Sequence, residues 1–170
     1  MAKHAASLLA AMVMVVFLSG CGVYSFTGAS IPPGAETISI QYFPNNADLV
    51  EPSLSPSFTD ALRDKFVSQT TLNLVENAGD LQISGEITGY KVSPVAITGD
   101  QIAAQNRLEI TVNVDFVNTL EEDNSFYDER FSRYVDYDSD QDLSAVQQQL
   151  IDEINEILVE DIFNKAVVNW

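Results

Sequence analysis

The chain has 170 residues, 46% of them hydrophobic and 19% charged, with 25 Asp and Glu against 8 Lys and Arg for a net charge of −17. That imbalance argues against a nucleic-acid partner, which needs clustered Lys and Arg, and against a polybasic grip on anionic lipid head groups. The only histidine, His4, and the only cysteine, Cys21, lie near the N-terminus. The body of the chain therefore lacks Ser-His-Asp and Cys-His pairs, the usual zinc ligands and an internal disulfide, and it reads as no enzyme, with no metal and no cofactor.

Lys3 and His4 precede an apolar run from Ala5 to Leu18, the charged and apolar regions of a secretory signal. A transmembrane anchor is the competing reading. A helix rises ~1.5 Å per residue and the hydrocarbon core is ~30 Å thick, so a span needs about 20 apolar residues. Ala5 to Leu18 supplies 14 before Gly20-Cys21-Gly22 interrupts. Leu18-Ser19-Gly20-Cys21 resembles the lipobox of bacterial lipoproteins. The resemblance implies residues 1–20 as signal peptide, cleavage before Cys21, and acylation of Cys21 as the lipid attachment. Two or more acyl chains, at about 0.8 kcal/mol per buried CH₂, hold a protein at a membrane without help from its surface charge.

Residues 21–36 (CGVYSFTGASIPPGAE) are rich in Gly, Ser and Pro and read as an extended tether. Tyr24 and Phe26 within it are placed to dock on the chain's own domain or on a partner. Residues 37–170 read as a single domain. Its first strand is Thr37–Phe43, with Ile38 and Ile40 on one face, bounded by Pro33-Gly34 and Pro44-Asn45. A helix follows from near Pro56, with Ser55 or Ser57 as cap and an apolar stripe of Phe58, Ala61, Leu62 and Phe66. It ends near Gln69 or Thr70.

Leu72–Val75 is a short strand-like piece before the turn signal at 77–80. Leu81–Val92 is the second strand, with Leu81, Ile83, Gly85, Ile87 and Gly89 in one phase; glycines on that side mark a close approach or a bulge. Ser93–Gln105 is a long apolar connection. The third strand, Arg107–Val117, alternates Leu108, Ile110, Val112, Val114 and Phe116 with polar residues. The polar turn Thr119–Ser125 leads to a fourth strand, Phe126–Tyr137, on which Phe131 and Val135 share a face. A helix from about Asp142 to Val168 closes the chain, with Leu143, Val146, Leu150, Ile154, Ile157, Leu158 and Ile162 as its stripe. Strands apolar on one face only imply helices on that face only. The expectation is an α+β two-layer sandwich in the order β-α-β-β-β-α, a four-stranded, mostly antiparallel sheet with two helices on one face. Its first β-α-β unit is a candidate right-handed crossover.

Four aspartates alternate as Asp136, Asp138, Asp140 and Asp142, like the start of a calcium loop. An EF-hand needs Gly at position six and Glu at twelve, where this chain has Gln141 and Gln147. Helix-capping carboxylates are the better account. Glu121-Glu122-Asp123 reads as a solvated turn. Val95, Ile97, Ile102, Ala103 and Ala104 admit two readings: an extended hairpin packed on its own domain, or an apolar contact surface for a membrane-protein partner. The tail Phe163–Trp170 poses the same choice, with helix packing favoured.

Several stretches are similar to the LptE-type lipoproteins of Bacteroidetes: residues 21–33, 52–75, 106–118, 131–138 and 160–170, together most of the chain after the signal. None is a catalytic signature. The resemblance implies a two-layer α/β sandwich that acts without catalysis, seated in a large outer-membrane β-barrel of the LptD type. There it would support lipopolysaccharide transport and outer-membrane assembly. Lipopolysaccharide is a further partner it implies, although this chain departs from the basic contacts of proteobacterial relatives. Gly22 rather than Asp after Cys21 resembles outer-membrane sorting. With no acidic cluster following, the lipid-anchored protein is expected on the periplasmic side. The rival is a stand-alone periplasmic lipid- or ligand-binding lipoprotein, which would need a large apolar pocket inside the sandwich.

Overall fold

The structure is a computed structural model that describes residues 31–95 and 104–168. The elements are β1 (Thr37–Ile40), α1 (Leu54–Gln69), β2 (Asn73–Val75), β3 (Leu81–Val95), β4 (Gln105–Asn118), β5 (Phe126–Asp138) and α2 (Leu143–Val167). A single 3-10 turn at Glu122–Asn124 sits between β4 and β5. The strands form one sheet in the order β2-β1-β3-β4-β5. β3, β4 and β5 are antiparallel, while β1 runs parallel to both β2 and β3. The α+β sandwich is as expected, but the sheet is five-stranded and mixed rather than four-stranded and mostly antiparallel. The extra strand is the Leu72–Val75 piece. Its Asn73 amide donates to the Glu36 carbonyl at 2.9 Å, and Thr37, Ile38 and Ser39 lie opposite Asn73, Leu74 and Val75. The pair is parallel, and α1 supplies the crossover that a parallel pair requires.

The first strand stops at Ile40, three residues short of its predicted end, and the Phe43 amide donates to Thr59 Oγ1 of α1 at 3.1 Å instead of to a neighbouring strand. The chain still runs beside β3: Gln41 donates to Ile83, Ile87 donates to Pro44 and Asn46 donates to Ile87, each at 2.9 Å. α1 begins at Leu54, earlier than the Pro56 region, with Ser53 rather than Ser55 or Ser57 as N-cap. Glu51 turns the chain in, its Oε1 accepting from the Ser53 amide at 3.1 Å and from its hydroxyl at 2.9 Å. Ser55 is buried, and Ser57 faces α2.

β3 keeps its predicted phase only as far as Ile87. Ile87 lies opposite Val112, but Gly89 lies opposite Thr111 and Tyr90 opposite Ile110, so Thr88 is an extra residue in a bulge. Beyond it the phases exchange and Tyr90, not Gly89, enters the core. β4 is as read, with Leu108, Ile110, Val112, Val114 and Phe116 buried. On β5, Phe131 and Val135 pack against the core from one face. On α2, Leu150, Ile154, Leu158 and Ile162 are buried as expected, but Ile157 is exposed. Ile151, Asn155 and Val159 are buried in its place, because α2 packs sideways on α1 as well as down on the sheet.

The core lies between the layers, where Ile38, Ile83, Ile87 and the β4 residues meet Phe58, Leu62 and Phe66 of α1 and the α2 stripe. Ring pairs lock it: Phe43 on Phe58 and Phe66 on Phe163, each at 5.0 Å and edge-on. Gly85 makes room for the first of these. A Cβ there would stand 2.7 Å from Phe43 Cε1 and 2.1 Å from the Asn113 carbonyl oxygen.

Candidate functional site

Cys21, Tyr24, Phe26, Ile97, Ile102, Ala103 and Trp170 lie outside the described residues. What is described of the apolar connection continues the hairpin: Ser93, Pro94 and Val95 pair with Arg107, Asn106 and Gln105. Ala104 is exposed, and its carbonyl accepts from the Ser139 amide at 3.0 Å. In the tail, Phe163 and Val167 are buried, so this segment packs as a helix on its own domain.

The four alternating aspartates go to separate tasks. Asp136 is held by Arg107, and Asp142 caps α2, accepting from the Ser144 amide and hydroxyl at 2.9 Å each. Asp138 and Asp140 are exposed at the turn between them. At the β4–β5 turn Glu121 accepts from Asn124 at 2.7 Å and the segment stays open to water. The displaced carboxylates all move down. Hydrogen bonds to Ser53 lower Glu51, those to Glu36 and Thr37 lower Asp80, and those to Ser144 lower Asp142. Arg107 lowers Asp136, and Lys65 lowers Glu160. A general acid needs a displacement in the other direction.

The feature with no structural partner is a face of the sheet. Helices α1 and α2 lie on the side of the buried strand positions; among the described residues no element covers the other side. That open face carries Gln82, Ser84, Glu86 and Lys91 from β3, the alternate β4 residues Arg107 to Asp115, and Arg130 to Asp136 of β5, placed by strand alternation and pairing. It is polar and cross-braced. Arg107 grips Asp136 through two bonds, Nε to Oδ1 at 2.7 Å and Nη2 to Oδ2 at 2.9 Å, and its guanidinium stacks 3.4 Å from the Tyr134 ring centroid. Thr111 and Ser132 meet at 2.9 Å, and Ser132 donates to Glu109 at 2.7 Å. Lys91, Arg107 and Arg130 stand among Glu86, Glu109, Asp115, Asp128 and Asp136, so acids outnumber bases here too, but each of these carboxylates accepts a hydrogen bond, from Asn46, Ser132, the Asp128 amide, Asn113 and Arg107 respectively.

Sequence reasoning found the polar phase of these strands but not the braces. They depend on which residues stand opposite, and pairing register is set by bulges that local pattern does not reveal. The bulge on β5 is such a case: Tyr127 and Asp128 oppose the single residue Asp115, whose carboxylate accepts the Asp128 amide at 2.7 Å.

The two ends of the sheet differ. Ile31, Pro32 and Pro33 lie against Asn118, Glu121, Asn124 and Ala166, so the chain enters the domain beside the β4–β5 turn and the C-terminal end of α2. Asp80 fastens this end. Its Oδ2 accepts from the Glu36 and Thr37 amides at 2.9 Å each and from the Thr37 hydroxyl at 2.7 Å, and its carbonyl accepts from Thr119. At the opposite end Gln147 donates to Glu51 and, at 3.0 Å, to the Tyr90 hydroxyl.

A family profile named LptE and described as lipopolysaccharide-assembly matches residues 35–166. No curated protein sequence matches. Among solved structures, a homolog of neuraminyllactose-binding hemagglutinin from Helicobacter pylori superposes with a TM-score of 0.52 at 10% identity, over 84% of this chain and 88% of that one. Lipoprotein B from Nitrosomonas europaea gives a TM-score of 0.48 at 14% identity, over 85% and 88%. A minor lipoprotein from Acinetobacter baumannii gives 0.44 at 10% identity, over 77% and 91%. The likeness to the first is one of fold.

Proposed function

The chain belongs to the LptE lipopolysaccharide-assembly family, and from that premise we propose that it is a non-catalytic outer-membrane lipoprotein that seats against a β-barrel of the LptD type on the periplasmic side. The open sheet face is the observation that carries this reading. β4 alone has 14 residues, roughly 45 Å at ~3.3 Å each, so the face is a long, rigid, polar platform. The interior of an outer-membrane barrel is polar too, and a face whose carboxylates are each already hydrogen-bonded presents a braced polar surface to it. The core between the layers is filled by large buried side chains such as Phe43, Phe58, Phe66 and Phe116, where a stand-alone lipid carrier would need an apolar cavity.

Acylation at Cys21 would tie the protein to the membrane through residues 22–30, which lead to the end of the sheet beside the β4–β5 turn. Replacing Cys21 with serine should leave an unprocessed chain that takes up no labelled palmitate; palmitate incorporation by the C21S protein would refute the lipid site. For the partner, a photoreactive residue at Ser84 on the open face should crosslink in cells to one β-barrel protein, identified by mass spectrometry. Depletion of the chain should lower surface lipopolysaccharide. A Ser84 reporter that reaches no barrel, with lipopolysaccharide unchanged on depletion, would end the proposal.

A further inference from the structure

β5 is the last strand of the sheet, and among the described residues no strand pairs with its outer edge. Its 13 residues give that edge roughly 43 Å at ~3.3 Å each, a row of backbone donors and acceptors open to another strand. Helix α2 packs over β5 from the core side, and one flank of it overlooks the edge. On that flank Lys165 pairs with Glu129 and Asp161 with Arg133. Ile157 stands one turn before Asp161 and is 37% exposed. Phe131 and Val135, on the helix side of β5, are only half-buried. Farther along, the seam opens into a cleft of about 360 Å³ between residues 135–138 and Val146, Leu150 and Glu153. An apolar strip and an unpaired edge therefore run side by side.

The chain enters the domain where it can fill both. From β1 it runs back across the end of the sheet, past Asn118 of β4, to Ile31 beside Asn124 of the β4–β5 turn and Ala166 of α2. Residues 22–30 (GVYSFTGAS) therefore start from the end of the sheet where β5 begins. They carry no charge, and Val23, Tyr24, Phe26 and Thr27 are strand formers. Tyr24 and Phe26, spaced by two, share a face in a strand. Pro32 and Pro33 end any such strand, and a residue before proline, here Ile31, is held extended. The lengths agree. Phe26 stands five residues before Ile31, roughly 17 Å of strand, and Ile157 nine residues before Ala166, about 14 Å of helix. Tyr24 stands seven residues before Ile31, roughly 23 Å, and Leu150 at the cleft 16 before Ala166, about 24 Å.

We propose that residues 22–30 pair antiparallel with the outer edge of β5 as a sixth strand, with Phe26 over Phe131 and Ile157 and Tyr24 in the cleft beside Leu150. Main-chain bonds fill the edge, and the two rings cover the strip. A second copy is the poorer occupant, since two chains of net charge −17 repel. Glu129 and Arg133, charged residues on the helix side of an edge strand, also discourage a free strand, whereas a segment joined to the domain acts at high effective concentration. The pairing is independent of the barrel partner. Its consequence for the anchor rests on the acylation proposed above: Cys21 then lies roughly 33 Å along β5 from Ile31, toward the Asp138 end of the sheet. The domain is held at a fixed angle to the membrane instead of swinging on a loose tether.

Amide hydrogen exchange, read by mass spectrometry on the full-length chain in detergent micelles, tests the pairing. Residues 23–29 should exchange at least about tenfold more slowly than an unstructured peptide. Ser25→Pro/Phe26→Pro removes one donor of each strand phase together with the Phe26 ring. It should restore fast exchange there and speed the outward-facing amides of residues 126–138 by about tenfold. Ile157→Lys, a change at an exposed helix position, should release residues 23–29 with the melting temperature unchanged. Exchange of residues 23–29 at the rate of an unstructured chain overturns the inference. So does slow exchange that neither variant moves, which immersion in the micelle would give. Slow β5 exchange that persists in the proline variant puts another strand, from a second copy or a partner, on the edge and overturns it equally.

Discussion

Phe43 gives the most direct test of how this fold is held. Its ring is fully buried, stands edge-on to Phe58 at 5.0 Å, and occupies the space above Gly85 where any Cβ would collide. Its amide also donates to Thr59 Oγ1 of α1 at 3.1 Å, so the residue joins the end of β1 to the helix layer through backbone and side chain together. Phe43→Ala keeps the backbone bond and deletes the ring. Phenylalanine truncation in a core costs about 3–5 kcal/mol, of which the edge-on contact accounts for roughly 1 kcal/mol. Marginal stability of about 5–15 kcal/mol makes that a large fraction. For a domain of this size the midpoint should drop by roughly 10–20 °C. Urea titration followed by near-UV circular dichroism measures the loss directly, and an unchanged m-value confirms that the same unit unfolds. Gly85→Ala attacks the same spot from below and should cost at least about 2 kcal/mol, because the backbone carbonyl of Asn113 cannot yield as a side chain would. If Phe43→Ala loses less than about 1 kcal/mol, the ring does not lock the two layers and the account of Gly85 fails with it.

Acid should destabilise the domain. Glu51, Asp80, Asp136, Asp142 and Glu160 all have lowered folded-state pKa values; their contribution is present above the unfolded values of 3.8 to 4.5 and is lost as pH falls through the lower folded ones. Melting midpoints should hold between pH 7 and 5 and fall below pH 4, and Asp80→Asn should lower the midpoint at pH 7 while flattening that acid limb. A D80N protein with an unaltered acid limb would show that the Asp80 bonds to Glu36 and Thr37 contribute nothing. Tyr90→Phe removes a buried hydroxyl bonded to Gln147 and should cost about 1 kcal/mol in urea. Burial raises the Tyr90 pKa, so in the parent stability is full below pH 10 and is lost as pH rises through the raised value, a loss the phenylalanine variant should lack. Equal alkaline curves for the two proteins would refute it.

The parts of the fold legible in the sequence are those where one local period reaches a single neighbour. β4 alternates without a break because both its neighbours are strands in register along most of its length, and Phe58, Leu62 and Phe66 repeat every four residues because α1 has one core face. What was misjudged depends on contacts remote in sequence. Three residues of β2 carry no periodicity of their own and become a strand only by pairing with β1. The Thr88 bulge shifts Tyr90 inward because of its register against β4, and α2 buries Asn155 because it meets α1 as well as the sheet. The proposed lipid site at Cys21 is of another kind: it is inferred from a linear motif and draws on no contact of the fold.

Charge explains why the layers should do different work. An acidic protein that docks inside another must either neutralise the docking surface or meet a strongly basic one. Here Lys91, Arg107 and Arg130 stand on the open sheet face, with Arg107 tied to Asp136 and stacked on Tyr134. Most of the remaining bases serve ion pairs in the helical half: Arg63 with Asp60, Lys65 with Glu160, Arg133 with Asp161 and Lys165 with Glu129. Even so, Asp64, Asp152 and Glu156 on the helices have no cation in ion-pair range among the described residues. The helical half thus leaves carboxylates open to water, while on the sheet face Glu86, Glu109, Asp115, Asp128 and Asp136 each accept a hydrogen bond from a neighbouring residue, the arrangement expected of a surface that meets a polar wall. Breaking one brace tests this: Arg107→Glu frees Asp136 and places a second carboxylate beside it, and it should lower the Ser84 crosslink; an unchanged yield would refute docking through the braced face.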